Sequence, residues 1–225
     1  MRITDFYVNY GNIEIIESLN FEVGFPSVVA IIGNNGSGKS TFFNALRQKI
    51  AFKGDFQFQG KSLQSTRFSF LGVRNIFNFS FPTKDFIRIN SDIDKGEECF
   101  NLLVEWLEID ALLDKNIETL SEGQLQKCLI AQTLMQYSDV VLLDEPESHL
   151  DIKSRNMLTK TLRAYSNKYQ KVIFIVSHDL QMVEKVADLV VNFSRKPLEL
   201  DKVTNAVIEA HQDYLANQPT KRNFN

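Results

Sequence analysis

Gly33-Asn34-Asn35-Gly36-Ser37-Gly38-Lys39-Ser40-Thr41 carries the spacing G-x-x-x-x-G-K-[ST], and the chemistry those residue types can do together is to hold phosphate. Glycines reach backbone angles closed to other residues, so successive N–H groups can turn inward on phosphate oxygens. Lys39 brings a point charge to the β- and γ-phosphates of a nucleotide, and the Ser40 hydroxyl is a hard oxygen ligand for Mg²⁺. Asp144-Glu145 is a second chemical pair. Adjacent carboxylates are unfavourable without a cation. Mg²⁺ on Asp144 would supply one, leaving Glu145, which points the other way, to orient or deprotonate a water. A solvated acidic turn is the competing reading. His178 follows Ser177 and is either a structural histidine or a contact to the γ-phosphate.

These groups need elements to position them. Ser27 to Ile32 is short, continuous and β-branched, the pattern of a strand buried on both faces of a parallel sheet. Lys39 to Lys49 has apolar residues at helical spacing, which turns the positive end of a helix dipole toward the loop. Asp139 to Leu143 and Lys171 to Val176 read as two more buried strands, expected side by side, so that Asp144, Glu145 and His178 fall at strand ends where α/β sheets bind ligands. Ser121 and Gln124 form a capping box for a helix through Met135. Gly123 in its first turn costs about 1 kcal/mol relative to alanine, which a closely approaching ligand would explain.

Residues 2–23 alternate in short pieces around a turn at Gly11-Asn12, predicting short antiparallel strands. Tyr10 at that hairpin is either a packing residue or a ring that stacks on a purine. Further strands are expected over 54–60 and 67–73. From 74 to 138 the texture is helical, with Thr83 as an N-cap and helices at Cys99–Leu107 and Ile109–Leu113. Ile152–Tyr165, Leu180–Val186 and a strand Leu189–Phe193 follow. Thr204 then opens a final helix through about Leu215.

Composition narrows the function classes. A chain of 225 residues with formal net charge −3 and 24% charged residues suits one large α/β domain and shows no nucleic-acid surface. Cys99 and Cys128 have neither C-x-x-C spacing nor a histidine cluster, so a metal cage or disulfide framework is not expected and reduced thiols are. The longest apolar runs are far short of a membrane span. The expected protein is soluble, and any work at a membrane requires another protein to hold it there.

Taken in order, the motifs resemble the ATP-binding subunits of ABC transporters over nearly the whole chain to about residue 193. Gly33 to Thr41 matches the Walker A loop, and Val140 to Glu145 the Walker B strand with its glutamate. Leu120-Ser121-Glu122-Gly123-Gln124 matches the signature sequence, with Glu122 where the family more often has glycine. Ser148 to Asp151 resembles the D-loop, His178 the switch histidine and Tyr10 the adenine-stacking aromatic. The resemblance implies an α/β P-loop NTPase fold: a RecA-like core with a mainly parallel sheet, an antiparallel β subdomain and an inserted α-helical subdomain. The expected division is core at 1–73 and 139–216, helical subdomain at 74–138 and a flexible tail at 217–225.

The resemblance also implies ATP and Mg²⁺ as ligands and hydrolysis by in-line attack of water on the γ-phosphorus. It implies a second ATPase subunit, in a homodimer packed head to tail, so that Ser121 and Gly123 meet the γ-phosphate held by the opposite Lys39 and Ser40, with Asp151 helping to join the two sites. Transmembrane permease subunits on the cytoplasmic face would be the further partners, docking on the insert near Phe77, Phe79, Phe81 and Pro82. An ATPase serving a cytoplasmic assembly is the alternative. One departure stands out: no glutamine occurs between Gln64 and Gln124, so Arg74 or Asn75 occupies the place of the family's loop glutamine. Asparagine could reach a metal through its carbonyl, and arginine could not.

Overall fold

Every residue of the run Ser27–Ile32 is buried, and this strand, β3, is central to the sheet it belongs to. The computed structural model describes residues 1–72, 80–91, 96–195, 198 and 200–203. The expectations for Arg74, Asn75, Phe77, Phe79, the helix from Thr204 and the tail lie outside these residues.

Ahead of β3 come β1 (Arg2–Tyr10) and β2 (Ile13–Glu22), and after it α1 (Lys39–Leu46), β4 (Lys53–Phe58), β5 (Lys61–Ser62) and β6 (Phe68–Leu71). The helical region holds α2 (Thr83–Arg88), α3 (Gly96–Trp106) and α4 (Glu122–Met135). The chain then alternates: β7 (Val140–Asp144), α5 (Ile152–Tyr169), β8 (Val172–Val176), α6 (Leu180–Val186), β9 (Leu189–Asn192) and β10 (Leu200–Lys202). The larger sheet has the order β10-β9-β3-β8-β7-β6, parallel except for β10, and the smaller is antiparallel with the order β2-β1-β4-β5.

Strand periodicity decides which layer each side chain enters. Val28, Ala30 and Ile32 of β3, Val141 and Leu143 of β7, and Ile173 and Ile175 of β8 pack with helices α3, α4 and α5. Val29 and Ile31, Val140 and Leu142, and Val172, Phe174 and Val176 face the other way, onto α1 and the antiparallel sheet. The parallel sheet therefore has an apolar layer on each face, as the unbroken apolar runs require.

Several local expectations are corrected. β1 and β2 are long, 9 and 10 residues, and register shifts along the pair interrupt the alternation, so that the sequence reads as short pieces. Helix α1 stops at Leu46, where Gln48 turns into the left-handed region at φ 58°. Pro82, not Thr83, caps α2; Thr83 is fully buried and its hydroxyl donates to the Lys115 carbonyl at 2.9 Å. Ile109–Leu113 shrinks to a 3₁₀ turn at Asp110–Leu112, and α5 runs on to Tyr169 because Tyr165 and Ser166 still face the core.

Candidate active site

A cleft of about 280 Å³ opens at the carboxyl edge of the parallel sheet, lined by Asn35, Gly36, Gly38, Lys39, Ser40, Thr41, Asp144, Glu145, Val176 and His178. Register explains the meeting. β7 and β8 pair with Asp144 opposite Val176, and β3 pairs with β8 on its other side. The three strands therefore deliver the loop at 33–38, the acidic pair and His178 to one edge.

The loop is built for close approach. Gly33 has φ 142°, and a Cβ there would lie 3.0 Å from the Phe193 Cβ, the Ser194 amide and the Ser37 hydroxyl. Gly38 caps α1 at φ 106° without any side-chain cap bond, and no acidic residue stands in the first turn. The leading N–H groups of α1 are thus available to an anion. Ser37 Oγ is buried without a hydrogen-bond partner, a second polar atom in the loop that a phosphate would satisfy. Lys39 is buried, and Nζ donates to the carbonyls of Gly33 at 2.8 Å and Asn34 at 2.9 Å. Desolvation lowers its pKa, opposed by Glu145 and Asp144.

Across the cleft, Asp144 is half-buried and belongs to no ion pair among the described residues. Burial first, and then Glu145, raise its pKa, while Lys39 and His178 pull the other way. A carboxyl so placed gains from a cation. Hard oxygen donors on Asp144 and Ser40 fit Mg²⁺, which takes only a few protein ligands and completes its shell with phosphate and water. Glu145 is exposed, adopts φ 49°, and donates its amide to the Val176 carbonyl at 2.9 Å. That left-handed turn carries its side chain toward His178, whose Nε2 lies 3.4 Å from Glu145 Oε1. Backbone strain of this kind in a non-glycine residue concentrates at working sites.

The remaining expected residues stand elsewhere. Ser121, Gly123 and Gln124 begin α4 and do not line this cleft. Ser121 Oγ accepts from the Gln124 amide, the Gln124 side chain accepts from the Ser121 amide, and Ser121 and Glu122 are exposed. The close approach expected at Gly123 comes from the chain itself: a Cβ there would lie 2.8 Å from the His149 carbonyl. The exposed pair of His149 Nδ1 and Glu122 Oε2, 2.6 Å apart, joins the same two segments. Asp151 caps α5, its carboxylate accepting from the Ser154 amide at 2.7 Å, a bond that lowers its pKa. Tyr10 ends β1 opposite Ile13, and its side chain lies outside the described ones. Sequence reading missed Glu147, a buried carboxyl two residues after Glu145 that takes a hydrogen bond from Ser177. Its only signal in the sequence is that it is a third acidic residue close after Asp144 and Glu145.

The family model for ABC transporters matches residues 16–148. The chain belongs to the ABC transporter family. The zinc import ATP-binding protein ZnuC of Acinetobacter baylyi is 30% identical over 220 residues, covering 96% of this chain and 81% of the relative. The phosphate import ATP-binding protein PstB 2 of Lactobacillus johnsonii is 30% identical over 208 residues, 82% of each chain. Among solved structures, an ATP-binding subunit of an ABC transporter superposes with a TM-score of 0.77 at 19% identity, over 96% of this chain and 97% of its own. That likeness shows the fold. As a member of the family, this chain is an ATP-binding, ATP-hydrolysing transporter subunit with a P-loop NTPase core. Among the described residues, no helix is long and apolar enough to cross a membrane.

Proposed function

We propose that the subunit cleaves ATP in the cleft at the carboxyl edge of its parallel sheet, paired with a second copy and seated on a separate membrane permease at the cytoplasmic face. The observation that carries this reading is the convergence of Lys39, Ser40, Asp144, Glu145 and His178 on one cleft. The α1 amides, the glycine loop and Lys39 hold the triphosphate. Ser40 and Asp144 would hold Mg²⁺, which would neutralise charge on the β- and γ-phosphates. Glu145 orients the attacking water, and His178, within reach of Glu145, contacts the γ-phosphate as charge builds on it. Tyr10 stacks on the adenine.

Two further features support pairing. Ser121 is exposed and Gly123 half-buried on a helix start away from their own cleft, where another subunit's nucleotide could meet them. Asp151, exposed beside them in the fold through His149, fits a place at the seam. ATP then binds both halves, and loss of the bridging phosphate loosens them. The relatives above carry import in their names, which favours an importer over an ATPase of a cytoplasmic assembly. Exposed Phe81 and Ile89 beside α2 suit the permease contact.

Glu145→Gln tests the reading. Turnover should fall at least about tenfold with nucleotide affinity retained, and the variant should run as a dimer with ATP and as a monomer with ADP in light scattering. Equal turnover in variant and wild type would remove Glu145 from the chemistry.

A further inference from the structure

The segment 145–150 passes between the start of α4 and the loop after β8, and it is held from both sides. On one side the Gln126 side chain donates to the Pro146 carbonyl at 3.0 Å, and the His149 carbonyl presses on Gly123. On the other, Arg155 donates to the Leu150 carbonyl at 3.0 Å and pairs with Asp179 at 3.1 Å. Glu147 lies between these anchors.

Glu147 is 7% exposed, yet its nearest function is not apparent from the chemistry of the cleft, since it does not line it. Its Oε1 accepts a hydrogen bond from the Ser177 hydroxyl, and Oε2 has no partner among the described residues. Ser177 is itself buried, and its Oγ also accepts from the Asp179 amide at 3.0 Å. The His178 amide interacts favourably with the same carboxyl. A buried carboxyl with one oxygen unsatisfied disfavours folding, and desolvation raises its pKa accordingly. An apolar side chain such as leucine would fill such a place without that cost. What the carboxyl does provide is a fixed acceptor that locks the hydroxyl of Ser177 and, through it, the backbone on both sides of His178.

We propose that Glu147 is a positioning residue for His178: by holding Ser177, it fixes the loop 177–179 against the segment that carries Glu145, and so sets the distance between the two groups that meet the γ-phosphate and the water. This rests on the reading of His178 given above. A displacement of about an ångström at such a centre is enough to slow chemistry by up to about a hundredfold, so a residue that never touches the nucleotide can govern turnover.

Steady-state ATP turnover of the full chain distinguishes the possibilities. Glu147→Ala should lower kcat at least about tenfold with KM for ATP within about twofold. Glu147→Gln, whose amide oxygen still accepts from Ser177, should recover at least half of the wild-type kcat. Ser177→Ala should match Glu147→Ala, and the double variant should be no slower than either single one. If Glu147→Ala does not fold, Ser177→Ala and Glu147→Gln carry the same test. In a His178→Ala background, adding Glu147→Ala should change nothing further. The proposal is overturned if Glu147→Ala turns over at the wild-type rate, or if it slows His178→Ala by the factor seen in wild type. Should His178→Ala alone keep full turnover, the reading of His178 fails and the proposal with it.

Discussion

Asp139, just before β7, and Asp144, its last residue, are the same residue type at opposite ends of one strand, and the fold treats them in opposite ways. At the amino edge of the sheet, the Asp139 carboxylate accepts from Lys61 Nζ at 2.7 Å and from the Arg67 amide at 2.9 Å. Burial alone would raise its pKa, but the bonds to Lys61 and Arg67 and the charges of Lys61 and Lys171 outweigh it and the pKa is lowered. At the carboxyl edge Asp144 has no ion pair among the described residues, and burial raises its pKa. One edge is closed by its own polar partners. The other keeps polar groups in need of a ligand, as sites that must bind and release an anion require.

Substitutions at the two positions should therefore separate activity from stability. The largest effect is expected for Asp144→Asn: kcat should drop at least about a hundredfold, while stability without nucleotide is unchanged or raised by about 1 kcal/mol. Asp139→Asn should do the reverse, costing about 2 kcal/mol in urea unfolding while kcat stays within about twofold. The comparison breaks if Asp144→Asn destabilises as much as Asp139→Asn.

Their pH dependences sharpen it. The lowered Asp139 carboxyl contributes stability that is present above its unfolded pKa and lost as pH falls through the folded one. The cost of Asp139→Asn should accordingly vanish on acidification. The raised Asp144 carboxyl has the opposite sign: its charge burdens the folded state as pH rises through the raised folded pKa. Any gain from Asp144→Asn should thus appear at neutral pH and disappear in acid. The smallest effect belongs to Lys61→Met. Its side chain is 38% exposed, so solvent screening limits the loss to about 1 kcal/mol, measured by the same unfolding curves.

The cleft was legible in the sequence because its chemistry demands particular residue types at fixed spacing. Gly33 to Thr41 must sit between a strand and a helix, and Asp144 and His178 must end neighbouring strands; β3, β7 and β8 do place them so. What stayed illegible depends on partners distant in the chain. Thr83 looks like a cap until its hydroxyl finds Lys115. Gly123 suggested a ligand, but the backbone at His149 occupies the space. Glu147 drew no reading of its own, because nothing local reveals that the Ser177 hydroxyl meets its carboxyl. β10 is too short, at 3 residues, to announce itself by alternation.

Phe42, early in α1, touches rings from almost every neighbouring part of the fold: Phe6 of β1 with centroids 5.5 Å apart, Phe174 of β8 at 6.0 Å, Phe193 after β9 at 5.9 Å and Phe21 of β2 at 6.4 Å. A helix wedged among aromatic rings of both sheets cannot shift alone. The end of the molecule that carries the glycine loop is consequently braced by aromatic packing from both sheets. A ligand at that loop would find a braced surface, and any movement accompanying turnover would have to be taken up by parts not bolted to this aromatic knot.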